Sequence, residues 1–277
     1  MADAAPRSRV GDDWPLEDLL VLAVGAAEEA GQLARQRRRE GAVNVTTTKS
    51  SLTDIVTDVD REVEQLLRNV LLGARPGDAW LGEETGASDG APTGDQSSAR
   101  SAVRWVVDPI DGTVNFLYGL PGWAVSVAAE RGGHTVVAAV TVPATGETFS
   151  AIRGQGAYLT GQRLAVSSCS ELSQALVATG FAYQPQVRAR QGPVVGELVS
   201  RVRDIRRMGA AAVDLCSLAA GRVDAYFESG LSPWDLAAGE LIAREAGAVV
   251  NATTNGDVVA AGPNLIESFT TELESLQ

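Results

Sequence analysis

The segment that most constrains this chain is Trp105-Val106-Val107-Asp108-Pro109-Ile110-Asp111-Gly112-Thr113. An apolar run of this kind predicts a buried strand. It ends in two carboxylates three residues apart, which a fold can bury only if something there compensates their charge. Pro109 lacks a backbone N–H and has a fixed φ, so it stops the strand's hydrogen bonding and sets a turn. Such a turn can aim Asp108, Asp111 and the Ile110 carbonyl at one ion. Gly112 and Thr113 then open the next segment with N–H groups suited to a phosphate. A plain polar turn, with both aspartates capping local N–H groups, accounts for the same residues.

Other acidic positions carry the same ambiguity. Asp235 closes Ser232-Pro233-Trp234-Asp235, where Ser232 as N-cap, Pro233 at N1 and Asp235 at N3 make a capping box without any metal. Glu83 is the first of two acids just beyond a short strand, 79–81, and a solvated loop pair explains it too. Lys49 to Asp60 is rich in Ser, Thr and Asp, as a helix start would be.

Composition removes several alternatives. With 35 Asp+Glu against 23 Lys+Arg, the net charge is −12, which excludes a nucleic-acid-coating protein whose affinity comes from neutralising phosphates. An anionic substrate would then need local positive charge, such as a metal. The single histidine, His134, sits in a Gly-rich turn between two strands, a poor setting for a Ser-His-Asp or Cys-His centre. Cys169 and Cys216 stand far apart without CxxC spacing, so neither a zinc ribbon nor a disulfide framework is expected, and the compartment is read as reducing and cytoplasmic. Residues 1–15 lack an apolar core and are expected to be disordered, not a secretory signal. The run Leu19 to Ala27 is too short to span a bilayer.

Helical spacing marks Leu19 to Leu33, ending in basic Arg35–Arg39, and a second helix from Asp58 or Asp60 to Gly73. Residues 85–101 are Gly/Ser/Ala/Asp-rich without periodicity, hence a mobile insertion. From Val103 the pattern becomes that of an antiparallel meander, 103–107, 123–129, 136–142 and 148–152. Helices at 187–202, 210–220, 234–246 and 266–276 then alternate with strands near 175–179, 224–227 and 248–250. No internal repeat is present. The fold class is α+β/α/β, one layered domain over 16–277.

Taken in order, D…GEE…DPIDGT…WD resembles the pattern of the inositol monophosphatase family, from Lys49 to about Gly247, and Met208 to Cys216 resembles the family segment over the substrate. The resemblance implies a layered αβαβα sugar-phosphatase fold, Mg2+ dependence, lithium sensitivity and a homodimer. It implies Glu83, Asp108 and the Ile110 carbonyl as ligands of one Mg2+, and Asp108, Asp111 and Asp235 of a second. Asp60 would act mainly through water, Thr113 with Glu83 would orient the attacking water, and Lys49 would stand near the site. Asp111, Gly112, Thr113, Ala210 and Asp235 would face the phosphate or ring, and Glu228 would bind hydroxyls. Where histidinol-phosphate phosphatases of the family often carry lysine after D-G-T, this chain has Val114, which tilts the substrate toward inositol 1-phosphate.

The physics agrees. Two carboxylates about 4 Å apart repel by roughly 4 kcal/mol at an effective dielectric near 20, so a cluster of four requires cations or protons. Oxygen-only ligands select Mg2+ over zinc. The alternatives are histidinol-phosphate, fructose-1,6-bisphosphate or phosphoadenosine-phosphate phosphatases of the same family, or a non-catalytic partner-binding protein on this fold. No calcium-binding D-x-[DN]-x-[DN]-G-x5-E loop is present. No nucleic acid or membrane partner is expected.

Overall fold

The computed structural model describes residues 14–41, 43–48, 55–89, 102–253 and 255–276. Lys49, residues 1–13 and residues 90–101 lie outside these. Trp14, which composition places in the disordered start, is packed: Arg75 stacks 5.0 Å from the Trp14 ring centroid, and Arg131 Nη2 donates to the Trp14 carbonyl at 2.7 Å.

Helix α1 (Leu16–Arg39) follows Pro15, with Glu17 and Asp18 in its first turn and Arg37–Arg39 in its last, complementing the helix dipole. Its small buried face, Ala23, Ala26, Ala27, Ala30 and Ala34, lets it lie close on a sheet. Of the Lys49–Asp60 segment, read as a helix start, Asp58–Asp60 do open the second helix while Ile55–Thr57 form a strand, and residues 49–54 lie outside the described ones. Strands β1 (Val45–Thr48) and β2 (Ile55–Thr57) pair antiparallel, in keeping with the β preference of branched residues. Helix α2 (Asp58–Ala74) begins on a Thr57–Asp60 capping box.

The large sheet is built from β3 (Ala79–Gly82), β4 (Gly86–Ser88), β5 (Val103–Asp111), β6 (Ala124–Arg131), β7 (His134–Val142), β8 (Glu147–Ile152), β9 (Gly156–Leu159) and β10 (Gln162–Arg163), in the order β10-β9-β8-β7-β6-β5-β3-β4. Two departures from the sequence reading matter. Residues 86–88, expected in a mobile loop, form an edge strand on β3. Strand β5 does not stop at Val107: its register to β6 shifts between Asp108 and Asp111 and then resumes. The irregularity falls at Pro109, which has no N–H to give the ladder. Helix α3 (Thr113–Tyr118) starts immediately afterwards, from Gly112 at φ 90°, a conformation that costs a non-glycine residue.

The second sheet contains β11 (Leu176–Thr179), β12 (Asp204–Arg206), β13 (Ala225–Glu228), β14 (Val249–Ala252) and β15 (Val258–Ala261), ordered β12-β11-β13-β15-β14. Helices α1 and α2 cover one face of the large sheet. Helices α5 (Ala211–Ala219) and α6 (Pro233–Glu245) lie between the sheets. Helices α4 (Pro185–Leu198) and α7 (Ile266–Leu276) cover the far face of the small sheet. These are the layers α-β-α-β-α. Alternation sorts β5 between them, Trp105 and Val107 toward α1 and α2, Val106 toward α5 and α6. Asp108, two residues after Val106, therefore leaves the sheet on the side of the middle layer.

Candidate active site

The end of β5, the turn after β3, the end of β13 and the starts of α5 and α6 meet around a cleft of about 430 Å3. Glu83, Asp108, Ile110, Asp111, Gly112, Thr113, Ala210, Glu228 and Asp235 all line it. Asp60 is joined to it through Thr113, whose hydroxyl stands 3.2 Å from Asp60 Oδ1 and 3.1 Å from the Ile110 carbonyl. Helix α4 borders the cleft at Gln184 and Val187, beyond which lies a second cavity of about 780 Å3 that shares Phe181, Val187, Glu228 and Ser229 with it.

Backbone N–H groups hold the carboxylates where the fold needs them. Asp108 Oδ1 accepts from the Ile110 N–H at 3.0 Å, inside the turn made by Pro109. Asp111 Oδ2 accepts from the Ala212 N–H at 2.6 Å, tying β5 to the first turn of α5. Asp235 Oδ2 accepts from the Ser232 N–H at 2.7 Å, so the capping-box reading of Asp235 is realised and the residue lines the cleft as well. Asp60 Oδ2 accepts from the Thr57 N–H at 2.8 Å and from the Thr57 hydroxyl. Glu228 Oε2 accepts from the Tyr226 hydroxyl at 2.8 Å. Gly180 is packed against this carboxylate so closely that a Cβ there would lie 2.0 Å from Oε1.

These acids resist ionisation. Burial, followed by the charges of Glu83, Asp111 and Asp235, raises Asp108 well above the carboxylate range. Burial and Asp235 do the same to Asp111, against the pull of the Ala212 N–H. Asp60 is pushed up to about 7 by burial, although its Thr57 hydrogen bonds favour the charged form. Glu228 is raised by burial. Arg207 is the single basic side chain among the described residues lining the cleft.

Among the described residues, no three Asp, Glu, His or Cys side chains stand together in a ready-made metal cage. The carboxylates face one cleft, and Asp108, Asp111 and Asp235 each lean on a separate backbone donor. The donor set nevertheless fits a hard divalent cation. It is all oxygen, and it is acidic beyond what Arg207 can neutralise.

The family model for inositol monophosphatases matches residues 15–275. The chain belongs to the inositol monophosphatase family. This is a family of phosphatases that are in general metal-dependent. Within it, the inositol-1-monophosphatase SuhB of Mycobacterium tuberculosis is 44% identical, covering 91% of this chain and 92% of that protein. The Nus factor SuhB of Escherichia coli is 40% identical over 92% of this chain and 95% of its own length. The crystal structure of the extragenic suppressor protein suhB from Bartonella henselae superposes with a TM-score of 0.85 at 33% identity, covering 93% of this chain and 98% of that one. The αβαβα layering is thus the family's fold.

Residue-level reading of the sequence passed over several groups at this site. Glu64, on α2 and 1% exposed, accepts from the Glu84 and Thr85 N–H groups at 2.7 and 2.9 Å, and so holds the turn that carries Glu83. Asp214, on α5, is fully buried with neither carboxyl oxygen hydrogen-bonded. Burial, then Glu228 and Asp111, raises it well above the usual range. A periodicity signal existed for both, because each falls on the apolar stripe of its helix beside Leu67 and Leu71 or Leu215 and Leu218.

Proposed function

We propose that this chain hydrolyses small phosphorylated polyols, inositol 1-phosphate first among them, with Mg2+ as its cofactor and water as the nucleophile. The observation that carries the reading is the joint burial of Asp108 and Asp111, beside Glu83 and Asp235, in a cleft lined by one arginine. A cluster of this kind serves no structural end that apolar residues would not serve better. Glu83, Asp108 and the Ile110 carbonyl would hold one ion, and Asp108, Asp111 and Asp235 another, with Asp108 common to both. When bound, such ions lower the pKa of water, hold the phosphate and neutralise the leaving alkoxide.

The protein's own groups do the orienting. Thr113 has one hydroxyl proton for two acceptors, Asp60 Oδ1 and the Ile110 carbonyl. When that proton goes to Asp60, the Thr113 oxygen is left to accept a hydrogen bond from water, and Glu83 is the neighbouring carboxylate that can accept the water's other proton. Asp60 thus sets the direction of Thr113. Gly112 and Ala210 line the phosphate end of the cleft, and Glu228, steadied by Tyr226, presents Oε1 to ring hydroxyls. Lys49 is assigned near this site from the sequence pattern. The reading extends to a cytoplasmic homodimer sensitive to lithium. No helix among the described residues is long and apolar enough to cross a membrane.

Phosphate release from inositol 1-phosphate, histidinol phosphate, fructose 1,6-bisphosphate and phosphoadenosine phosphate, each with and without Mg2+, tests the proposal. We expect inositol 1-phosphate to lead, turnover to cease on chelation, and Asp108→Asn to abolish it more completely than Asp60→Asn. Undiminished turnover after exhaustive chelation would sink the metal reading. The Nus-factor name of the Escherichia coli relative favours a second reading, contact with partner proteins. A folded wild-type chain inert on all four esters at any Mg2+ concentration would decide for it.

A further inference from the structure

Ser126 on β6 is directly opposite Asp108 on β5 in the antiparallel register. Residues so paired leave a sheet on the same face with their Cβ atoms about 4.5–5.5 Å apart. That face is the one covered by α5 and α6, where the neighbours of Ser126 are Ala124, Ala128, Val106 and Val140. Ser126 is 1% exposed, and its Oγ is buried without a hydrogen-bond partner. An unpaired buried hydroxyl is unfavourable, and alanine would suit these apolar neighbours better. The polar side chain across from it is Asp108. In the structure Asp108 Oδ1 accepts from the Ile110 N–H.

We infer that Ser126 is a positioning residue for Asp108, its hydroxyl donating to the carboxylate once Asp108 turns to hold metal. Ligating carboxylates are themselves commonly hydrogen-bonded, and removing such an outer partner typically weakens metal binding about tenfold to hundredfold. The inference rests on the metal reading of the site. It differs from an ordinary structural role in one respect: the hydroxyl has nothing to lose in the metal-free protein.

The test is Ser126→Ala, read by calorimetric Mg2+ titration and by melting temperature in chelator and in Mg2+, with Asp108→Asn alongside. We expect Mg2+ to bind at least about tenfold more weakly to the variant, while the melting temperature in chelator is unchanged or higher. Turnover at saturating Mg2+ should recover most of its wild-type value. A Mg2+ affinity within twofold of wild type, with Asp108→Asn strongly impaired, overturns the role of Ser126 and leaves the metal site standing. A variant that fails to fold, or melts far lower in chelator, overturns it too, because a hydroxyl without a partner cannot be what holds the fold. Wild type without any Mg2+ response, or Asp108→Asn binding Mg2+ as wild type does, overturns the metal reading and this inference with it.

Discussion

Glu64→Gln isolates how the fold places Glu83. The Glu64 carboxylate accepts from the Glu84 N–H at 2.7 Å through Oε2, and from the Thr85 N–H at 2.9 Å and the Thr85 hydroxyl at 2.5 Å through Oε1. Trp80 Nε1 adds a bond to the same hydroxyl at 3.1 Å. Glutamine keeps the shape but has one acceptor oxygen, so in either orientation its NH2 faces a backbone N–H of the turn. Hydrogen bonds to a charged group contribute about 1.5–3 kcal/mol each, and an unpaired buried donor costs about 1–3 kcal/mol. Losing one bond and weakening the others should cost roughly 2–4 kcal/mol. For a domain of this size each kcal/mol moves the melting temperature by about 2–4 °C, so the variant should melt roughly 4–16 °C lower in chelator. Because Glu83 rides on the same turn, Mg2+ affinity should fall about tenfold as well. Calorimetry in chelator and a Mg2+ titration measure both. A melting temperature within about 2 °C of wild type, together with an unchanged titration, would show that the turn stands without Glu64.

Gly180→Ala should displace Glu228, because the new Cβ would lie 2.0 Å from its Oε1. We expect kcat/KM on inositol 1-phosphate to fall about tenfold to hundredfold, the worth of a hydrogen bond to a charged group, with the Mg2+ midpoint unmoved. An unchanged kcat/KM would remove Glu228 from substrate binding. Mg2+ binding near neutral pH should release protons, since Asp108 and Asp111 are held above the usual range and Asp60 at about 7. Titrations in buffers of different ionisation enthalpy should therefore give different apparent heats, and identical heats would show the acids already ionised. Asp214 is raised by burial, so the folded state binds its proton more tightly than the unfolded chain does. Its contribution is present below the ordinary pKa of about 3.9 and is lost as pH climbs toward the raised value. Asp214→Asn should thus gain stability relative to wild type progressively from about pH 4 upward. Denaturant melts at pH 5 and pH 8 check this, and a difference that does not grow with pH contradicts it.

What the sequence discloses follows from what its signals measure. Helical period reports a face buried along many residues, so α7 (Ile266–Leu276) is legible to the residue and α5 and α6 nearly so. Short or edge elements have too few residues for a period. Strands β1, β4, β9, β10 and β12, two to four residues each, passed unread for that reason. The cleft divides in the same way. Asp108, Asp111, Glu83 and Asp235 stand in compact motifs whose order carries the family resemblance, and the fold brings them to one cleft. Glu64, Asp214 and Ser126 belong to no motif. Glu64 and Asp214 betray themselves only as acids on an apolar stripe, a conflict between local pattern and charge that marks a site once it is taken at face value. Ser126 has no such signal, since a serine between Val125 and Val127 is an ordinary strand residue until the β5–β6 register sets it across from Asp108. One register step would turn that hydroxyl toward α1 and α2. Its place opposite Asp108 is therefore decided by the regular β5–β6 pairing that runs from Val103 to Asp108, at a level of organisation that no local reading of the chain contains.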